Sequence, residues 1–357
     1  MQRAGIRGEV VIADNGSTDG SQDLAVAAGA RVVQVAERGY GAAIRGGTAA
    51  AQGKFVIVAD ADDSYDLSQV DVFVERLAAG ADLVMGNRFR GGIRDGAMPF
   101  LHRYLGNPVL SFLGRFFYRI PCGDFHCGIR AFTKPAFELM DLRTSGMEFA
   151  SEMLVKASFR KLRIDEVPTT LSPDGRTRAP HLRTWRDGWR HLRFLLLYSP
   201  RWLFLYPGLA LMTIGAILTM WLLPAERHIG HIRFDVDTLL YSLTFILLGF
   251  YSTMFSLLTK YYGISEGLLP PDPRISWITR RLKLEHGIAL ALSFVALGLI
   301  GSFSAVHFWH ATGFGALDAS RMIRLVAPSV LAFSLGGSIL LGSFFAAVLQ
   351  IKHSDKI

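Results

Sequence analysis

Residues 55–66 read FVIVADADDSYD, a run of apolar and small residues that passes directly into four acidic side chains within seven positions. The first half has the β-branched, aromatic character of a buried strand. The second half needs a reason to exist, because at an effective dielectric of about 20 two carboxylates roughly 5 Å apart repel by about 3 kcal/mol. A positive group is expected among them.

Outward from this stretch, short β-rich runs alternate with helical ones. Residues 9–13, 31–35 and 54–59 read as strands, and 21–28 and 42–52 as the helices that connect them. A further strand is expected at 82–86, helices at 100–118 and 148–161, and a strand at 163–167. Strands alternating with helices imply an α/β unit with a mostly parallel sheet. In such sheets ligands sit beyond the carboxyl ends of the strands. The polar clusters ADNGSTDG (13–20) and ADADDSYD (59–66) both fall at such ends, and their shared edge is the expected site.

The rest of the chain has a different character. Of 357 residues half are hydrophobic, and the net charge is +8, yet 49 of the 68 charged residues lie before residue 202. Four uncharged runs follow, at 203–223, 239–258, 287–306 and 326–349. At 1.5 Å per residue, about 20 residues span a hydrocarbon core of roughly 30 Å, so four membrane spans are expected. Arg and Lys orient them. Arg176, Arg178, Arg183, Arg186, Arg190, Arg193 and Arg201 precede the first span; Lys260, Arg274, Arg280, Arg281 and Lys283 fill the middle loop; Lys352 and Lys356 lie in the tail. The opposite loops hold only Arg227, Arg233, Arg321 and Arg324. This bias places the N-terminal unit and the C-terminus in the cytoplasm, in a multi-pass protein of the cytoplasmic membrane. No secretory signal precedes residue 9.

Several motifs have competing readings. DNGSTDG can be a strand-to-helix turn with Asp19 or Ser21 capping the next helix. RGYGAAIRGG lacks the dinucleotide-binding spacing, because Ile44 occupies the third glycine's position, and reads as a tight turn. CGDFHC, with Cys122 and Cys127, has no second ligand pair for zinc, and its cysteines are expected to stay reduced. In HLRTWRDGWRHLRFLLL, Leu182, Trp185, Trp189 and Leu192 recur at helical spacing beside Arg183, Arg186, Arg190 and Arg193. An amphipathic helix at the membrane interface, over 181–200, is expected, with docking on the protein's own sheet as the alternative. Ser334, Ser338, Gly342 and Ala346 recur every four residues, a small-residue stripe that suits either another span of the chain or a homo-oligomer contact.

VVIADNGSTDGS, GYGAAIRGGTAAAQGKFVIVADADDSYD and DFHCGIRAF occur in the order and approximate spacing of the family 2, GT-A type glycosyltransferases, and resemble the sugar transferases acting on dolichyl or polyprenyl phosphate. The resemblance covers roughly residues 9–200. It implies a Rossmann-like GT-A domain over 1–180, then the interfacial helix, then an all-α transmembrane domain of four helices over 201–357. It also implies a nucleotide-sugar donor, with UDP or GDP left open, a polyprenyl or dolichyl phosphate acceptor, and Mg2+ or Mn2+. Asp60 and Asp62 match the family's metal-binding Asp-x-Asp; alternate residues leaving a strand can converge on one hard cation. Asp63, Ser64 and Asp66 are secondary candidates there. Asp14, Asn15 and Ser17 border the nucleotide, Arg88 and Arg130 match basic positions near the acceptor phosphate, and Asp124 matches an acidic position associated with activity. Glu148 and Glu152 are runner-up acids that an exposed helix face explains equally well.

The chain departs from the pattern in three places. The family's earlier strand, loop and helix have no equivalent before residue 9, which implies a misassigned start or a damaged protein. Asn15 stands where many relatives carry Asp. Tyr198 in YSPRW replaces the Gln of the processive synthases' Gln-x-x-Arg-Trp signature, which favours single transfer. The competing reading is a non-catalytic membrane protein that retains a truncated glycosyltransferase-like domain. Transport is disfavoured because the spans carry no charge near their middles, and no nucleic-acid partner is expected.

Overall fold

The computed structural model of the chain describes residues 5–175, 184–281 and 283–354. It divides into two compact units, Met1–Leu197 and Tyr198–Ile357.

The first unit runs β1 (Val11–Asp14), α1 (Ser21–Ala27), β2 (Arg31–Gln34), α2 (Tyr40–Ala50), β3 (Phe55–Val58), α3 (Val70–Ala78), β4 (Leu83–Asn87), α4 (Arg88–Gly91), α5 (Asn107–Tyr118), β5 (Arg130–Thr133), α6 (Lys134–Met140), α7 (Phe149–Phe159), β6 (Ile164–Pro168) and α8 (Thr184–Leu197). β1 and β2 form a parallel pair; the other strands form a four-stranded sheet in the order β3-β5-β4-β6. β4 and β6 are parallel, whereas β5 is antiparallel to both β3 and β4. The expected mostly parallel sheet therefore contains one reversed strand, which the sequence reading had not assigned.

That reversal positions the site. Because β5 runs backwards, its first residue, Arg130, pairs with Val58 near the end of β3 and with Met85 near the end of β4. An arginine thus reaches the same sheet edge as the acidic cluster. Burial follows pairing: β4 is buried throughout, while β3 is only half-buried because β5 is its one ladder partner among the described residues. The expectation of a buried strand at 55–58 is corrected accordingly. The core has one cluster around Leu83, Met85, Phe125, Phe132, Phe149 and Met153 and a second around Phe73, Leu77, Val84, Ile129 and Val167.

One helix, α7, differs from expectation, and a second, α8, has one face docked. α7 is buried from Phe149 to Ala157, so Glu152 does not sit on an exposed face, and Glu148 at its cap is half-buried. α8 belongs to the first unit and packs on α5 and α7, burying Asp187, His191, Phe194 and Leu195 and leaving Trp185 and Trp189 exposed. It is docked on its own domain by one face. Leu182 and Arg183 of the expected stripe lie outside the described residues.

In the second unit, a π-helical turn at Arg201–Leu205 leads into α9 (Tyr206–Leu222), a hairpin of β7 (Arg227–Ile229) and β8 (Ile232–Phe234), α10 (Val236–Ser265), α11 (Pro273–Arg281), α12 (Leu284–Ala311) and α13 (Ala319–Ser354). Four of its helices are long and apolar enough to cross a membrane. α9 pairs with α10 and α12 with α13. Glycines permit the approach: a Cβ on Gly249 would meet the Gly208 carbonyl oxygen at 2.5 Å, and one on Gly336 would meet that of Ala291 at 2.8 Å. Such small-residue contacts drive association where lipid removes the hydrophobic difference. The stripe on α13 is also used within the chain, since Ser338 Oγ donates to the Tyr251 hydroxyl at 3.0 Å and Gly342 abuts Met254.

Candidate active site

Asp60 leaves β3 and its carboxylate lies against the backbone of Gly128, where a Cβ would stand 2.2 Å from Oδ2. Glycine at 128 is a steric requirement of that approach. Beside it the buried Tyr65 hydroxyl accepts the Gly128 N–H at 2.8 Å, tying the acidic loop to the loop before β5. Asp62 accepts from the N–H and hydroxyl of Ser64, at 3.1 and 2.5 Å. Asp63 holds a left-handed φ of 60° and is exposed. Asp66 accepts the Ser68 N–H at 2.9 Å as a helix cap, and hydrogen bonds from Ser68 keep its carboxyl below the ordinary range.

Arg88 and Asp124 are held by each other. Arg88 donates from Nε at 2.7 Å, from Nη2 at 2.8 Å and from its backbone N–H at 3.1 Å, so both carboxylate oxygens of Asp124 are occupied. Asp124 is fully buried and Arg88 is 8% exposed. Burial opposes the charge on Arg88, but Asp124 more than offsets it and raises the guanidinium's pKa. Glu166 positions the loop by accepting from Gly123 N–H at 2.5 Å and Asn87 Nδ2 at 3.1 Å.

Arg130 is different. It is 1% exposed, donates from Nη2 to the Cys127 carbonyl at 2.6 Å, and faces the Met153 sulfur at 3.9 Å. Its Nε has no hydrogen-bond partner, and among the described residues no carboxylate pairs with it. A buried charge left in this state is costly unless a ligand completes it.

Three histidines and a tyrosine that the sequence reading did not single out complete the surroundings. Burial raises the Tyr40 hydroxyl, and Arg130, Asp60, Cys127 and Arg88 all lie near enough to act on it. His126 is pushed well below its ordinary value, first by burial and then by His191, Arg88, Arg130 and His102. Burial lowers His191 to about 4; its Nδ1 meets Ser151 Oγ at 2.9 Å. The imidazoles are therefore neutral near pH 7, and the permanent cations are the two arginines. Tyr40 sits between the glycines of GYG, and His126 within CGDFHC; each motif had been weighed for another chemistry, which hid the residue.

The turn after β1 is internally satisfied. Asp14 accepts from Gly16 and Ser17 N–H groups at 3.0 and 3.2 Å and from Gln22 Nε2 at 2.7 Å, and bonds from Ser17 foremost hold its carboxyl low. Asn15 donates to the Val35 and Glu37 carbonyls at 2.9 and 2.7 Å and accepts the Gly39 N–H at 2.6 Å. An aspartate could not donate to those carbonyls, which gives Asn15 a local reason. Gly39 and Gly41 are less a free turn than a close approach: Cβ atoms there would lie 2.2 and 2.4 Å from the Ser145 and Thr144 carbonyl oxygens. Glu152, fully buried, clamps that loop by accepting from Arg143 and Thr144 N–H groups and the Thr144 hydroxyl, and pairs with Lys156 at 2.9 Å. Glu148 has a buried Oε2 without a hydrogen-bond partner. Both cysteines are free and buried; burial pushes the Cys127 thiol up to about 12.

Asp60, Arg88, Asp124 and Arg130 are thus brought to one edge. The described residues contain no cluster of three or more His, Cys, Asp or Glu able to hold a metal. Two carboxylates remain compatible with Mg2+, which is commonly bound by one or two protein carboxylates together with substrate phosphates.

Residues 4–140 match the Glycosyl transferase family 2 domain, and residues 257–350 match the Glycosyltransferase family 2 C-terminal transmembrane region. The low-salt glycan biosynthesis hexosyltransferase Agl6 of Haloferax volcanii is 34% identical over 343 residues, covering 95% of this chain and 81% of that protein. Glycosyltransferase AglJ of the same organism is 35% identical over 53% of this chain and 61% of its own length. Its dolichyl-phosphate hexose transferase is 31% identical over 45% of this chain and 69% of its own length.

Proposed function

Because the chain belongs to glycosyltransferase family 2 and has a membrane-spanning C-terminal region, we propose that it moves a single sugar, with inversion, from a UDP- or GDP-sugar to a polyprenyl or dolichyl phosphate at the cytoplasmic face of the membrane. The observation that carries this reading is Arg130, a buried guanidinium without a carboxylate partner, at the same sheet edge as Asp60. One relative, the dolichyl-phosphate hexose transferase of Haloferax volcanii, supports the acceptor class.

The chemistry asks mainly for charge control. A phosphate monoester is already mostly anionic near neutral pH, so it needs little activation as a nucleophile. Its approach to a donor that carries a diphosphate is the obstacle, and positive charge placed in advance removes it. Arg130 supplies that charge, and its planar fork suits a phosphate. Arg88 shares its fork with Asp124, so the pair acts as a positioning unit that holds the β4–α4 corner. Asp60 and Asp62 would hold Mg2+ or Mn2+, which supplies charge neutralisation at the donor's diphosphate. Asp14, Asn15 and Ser17 border the nucleotide through the shape of their turn. The excess of Arg and Lys in the loops before the first span and between α10 and α12 supports the cytoplasmic orientation.

The test uses membranes carrying the full chain, a radiolabelled nucleotide-sugar and a polyprenyl phosphate, with label followed into the organic phase. Asp62→Asn should abolish transfer without loss of folded protein. Arg130→Lys keeps the charge but loses the fork, so it should weaken lipid-phosphate use far more than nucleotide binding. Undiminished transfer by Asp62→Asn, or equal losses for both ligands with Arg130→Lys, would overturn the assignment.

A further inference from the structure

The second unit contains a cavity of about 820 Å³, framed by the end of α10, by α11, by the start of α12 and by the end of α13. Its volume falls within the roughly 300–1,000 Å³ typical of small-molecule sites. The interior wall is apolar, with Leu257, Ile278, Leu290, Ile339 and Ala346 among its residues. Every charged lining residue belongs to the first turn after Pro200, the last turns of α10, the α10–α11 connection, the first turn of α11 or the segment that opens α12. Hairpin connectivity brings these helix ends to one side of the bundle, so the charges share one end of the cavity.

That end holds four cations, Arg201, Lys260, Arg274 and Lys283, against the single carboxylate of Asp272. Asp272 is already committed. It accepts from Arg201 Nη2 at 2.9 Å, from Lys260 Nζ and from the Arg274 N–H at 2.9 Å. The side chains of Arg274 and Lys283 have no ion pair among the described residues. An apolar chamber that ends in two unneutralised cations is complementary to a long apolar chain with an anionic head. A phosphate monoester, carrying about −1.5 to −2 near pH 7, matches two cations better than a singly charged phosphodiester does.

We propose that this cavity binds a long-chain lipid phosphate monoester, its phosphate against Arg274 and Lys283 and the first part of its chain between α10, α12 and α13. Identifying that lipid with the acceptor of the proposed reaction rests on that reading; the site itself rests on the cavity and its charge. The binding site keeps the lipid's head at the membrane boundary, where a headgroup can be presented while the remainder of the chain stays in hydrocarbon.

Lipid retention on the full-length protein in nanodiscs tests this, with polyprenyl phosphate and phosphatidylglycerol as competing probes and native mass spectrometry as the readout, no nucleotide-sugar being present. The wild type should retain the polyprenyl phosphate in preference. Arg274→Gln with Lys283→Gln changes exposed side chains and should reduce that retention on the order of thirtyfold, at roughly fivefold per cation. Ala346→Trp fills the chamber and should reduce retention of both lipids. Equal retention of the two lipids by the wild type, or unchanged retention by both variants, would overturn the proposal. Transfer is then measured on the same samples after nucleotide-sugar is added: lipid retained without any sugar transfer would sink the reaction and leave the site standing. Full transfer by variants that retain no lipid would overturn the identification of this lipid with the acceptor and leave the reaction standing.

Discussion

Exchanging Asp124 for Asn removes one charge from a pair that has no water to fall back on. Asp124 is fully buried and receives three hydrogen bonds from Arg88, two of them from the guanidinium at 2.7 and 2.8 Å. Breaking a buried pair by removing one partner costs about 3–5 kcal/mol, because the remaining charge is left uncompensated. Asn keeps one acceptor oxygen, which puts the expected loss near the lower end, at about 3 kcal/mol. For a unit of this size, each kcal/mol moves the melting temperature by roughly 2–4 °C, so a fall of roughly 6–12 °C is expected. Limited proteolysis of the full chain in nanodiscs along a temperature ramp reads the loss in the α/β unit. Arg88→Met with Asp124→Leu removes both charges and should recover most of the stability, since apolar replacements of buried pairs are often neutral or better. If Asp124→Asn melts with the wild type while transfer collapses, Asp124 acts on the reacting atoms and the positioning argument is wrong. A double variant no more stable than the single one would refute the charge argument itself.

Two further outcomes follow from the same unit. Asn15→Asp should cost about 1–3 kcal/mol, because two carbonyls lose their donors and face a carboxylate instead; a melting temperature equal to wild type would show that the Val35 and Glu37 bonds carry no weight. Burial holds His191 at about 4 despite the opposing pull of Asp187, whereas the unfolded chain's histidine takes a proton near 6.5. The unfolded state therefore binds more protons between those values, so His191 should lower stability as pH drops from about 6.5 to about 4, its own share amounting to about 3 kcal/mol, with buried His126 adding to the fall. His191→Gln should flatten that slope in melting curves taken across the range, and an unchanged slope would remove His191 as its source.

Much of this architecture is legible in the residues. β1 to β4 and β6 lie within a residue or two of their expected positions; β1, β3 and β4 are apolar runs ended by a polar turn. The four spans are equally plain, since length and lack of charge decide them locally. What was not legible depends on distant partners. Arg130 occupies the first position of a buried strand and breaks its apolar pattern, so β5 did not register as a strand. Glu152 looked like a surface acid because helical periodicity cannot reveal that a loop at 143–144 will come to be clamped on it. Arg88 and Asp124, matched by resemblance to separate roles, meet only through the fold, 36 positions apart in sequence.

The placement of charge at the sheet edge explains why these exceptions cluster. Local rules alone would replace Arg130 with an apolar residue, Asp124 with a small one and Gly128 with anything bearing a Cβ. Each rule is broken: Gly128 lies against Asp60, Asp124 holds Arg88, and Asp60, Arg88 and Arg130 all lie near enough to act on Tyr40. Arg88 is neutralised within the protein, so it adds rigidity and little net field. Arg130 is not, and the neutral His126 and His191 beside it neither cancel nor add to its charge near pH 7. The edge therefore pairs carboxylates at the end of β3 with one permanent, uncompensated cation at the start of β5. Either charge alone would be a defect in a folded domain. Together they make an edge where a cation can be held on one side and an anion received on the other, the division of labour that transfer between two phosphate-bearing substrates requires.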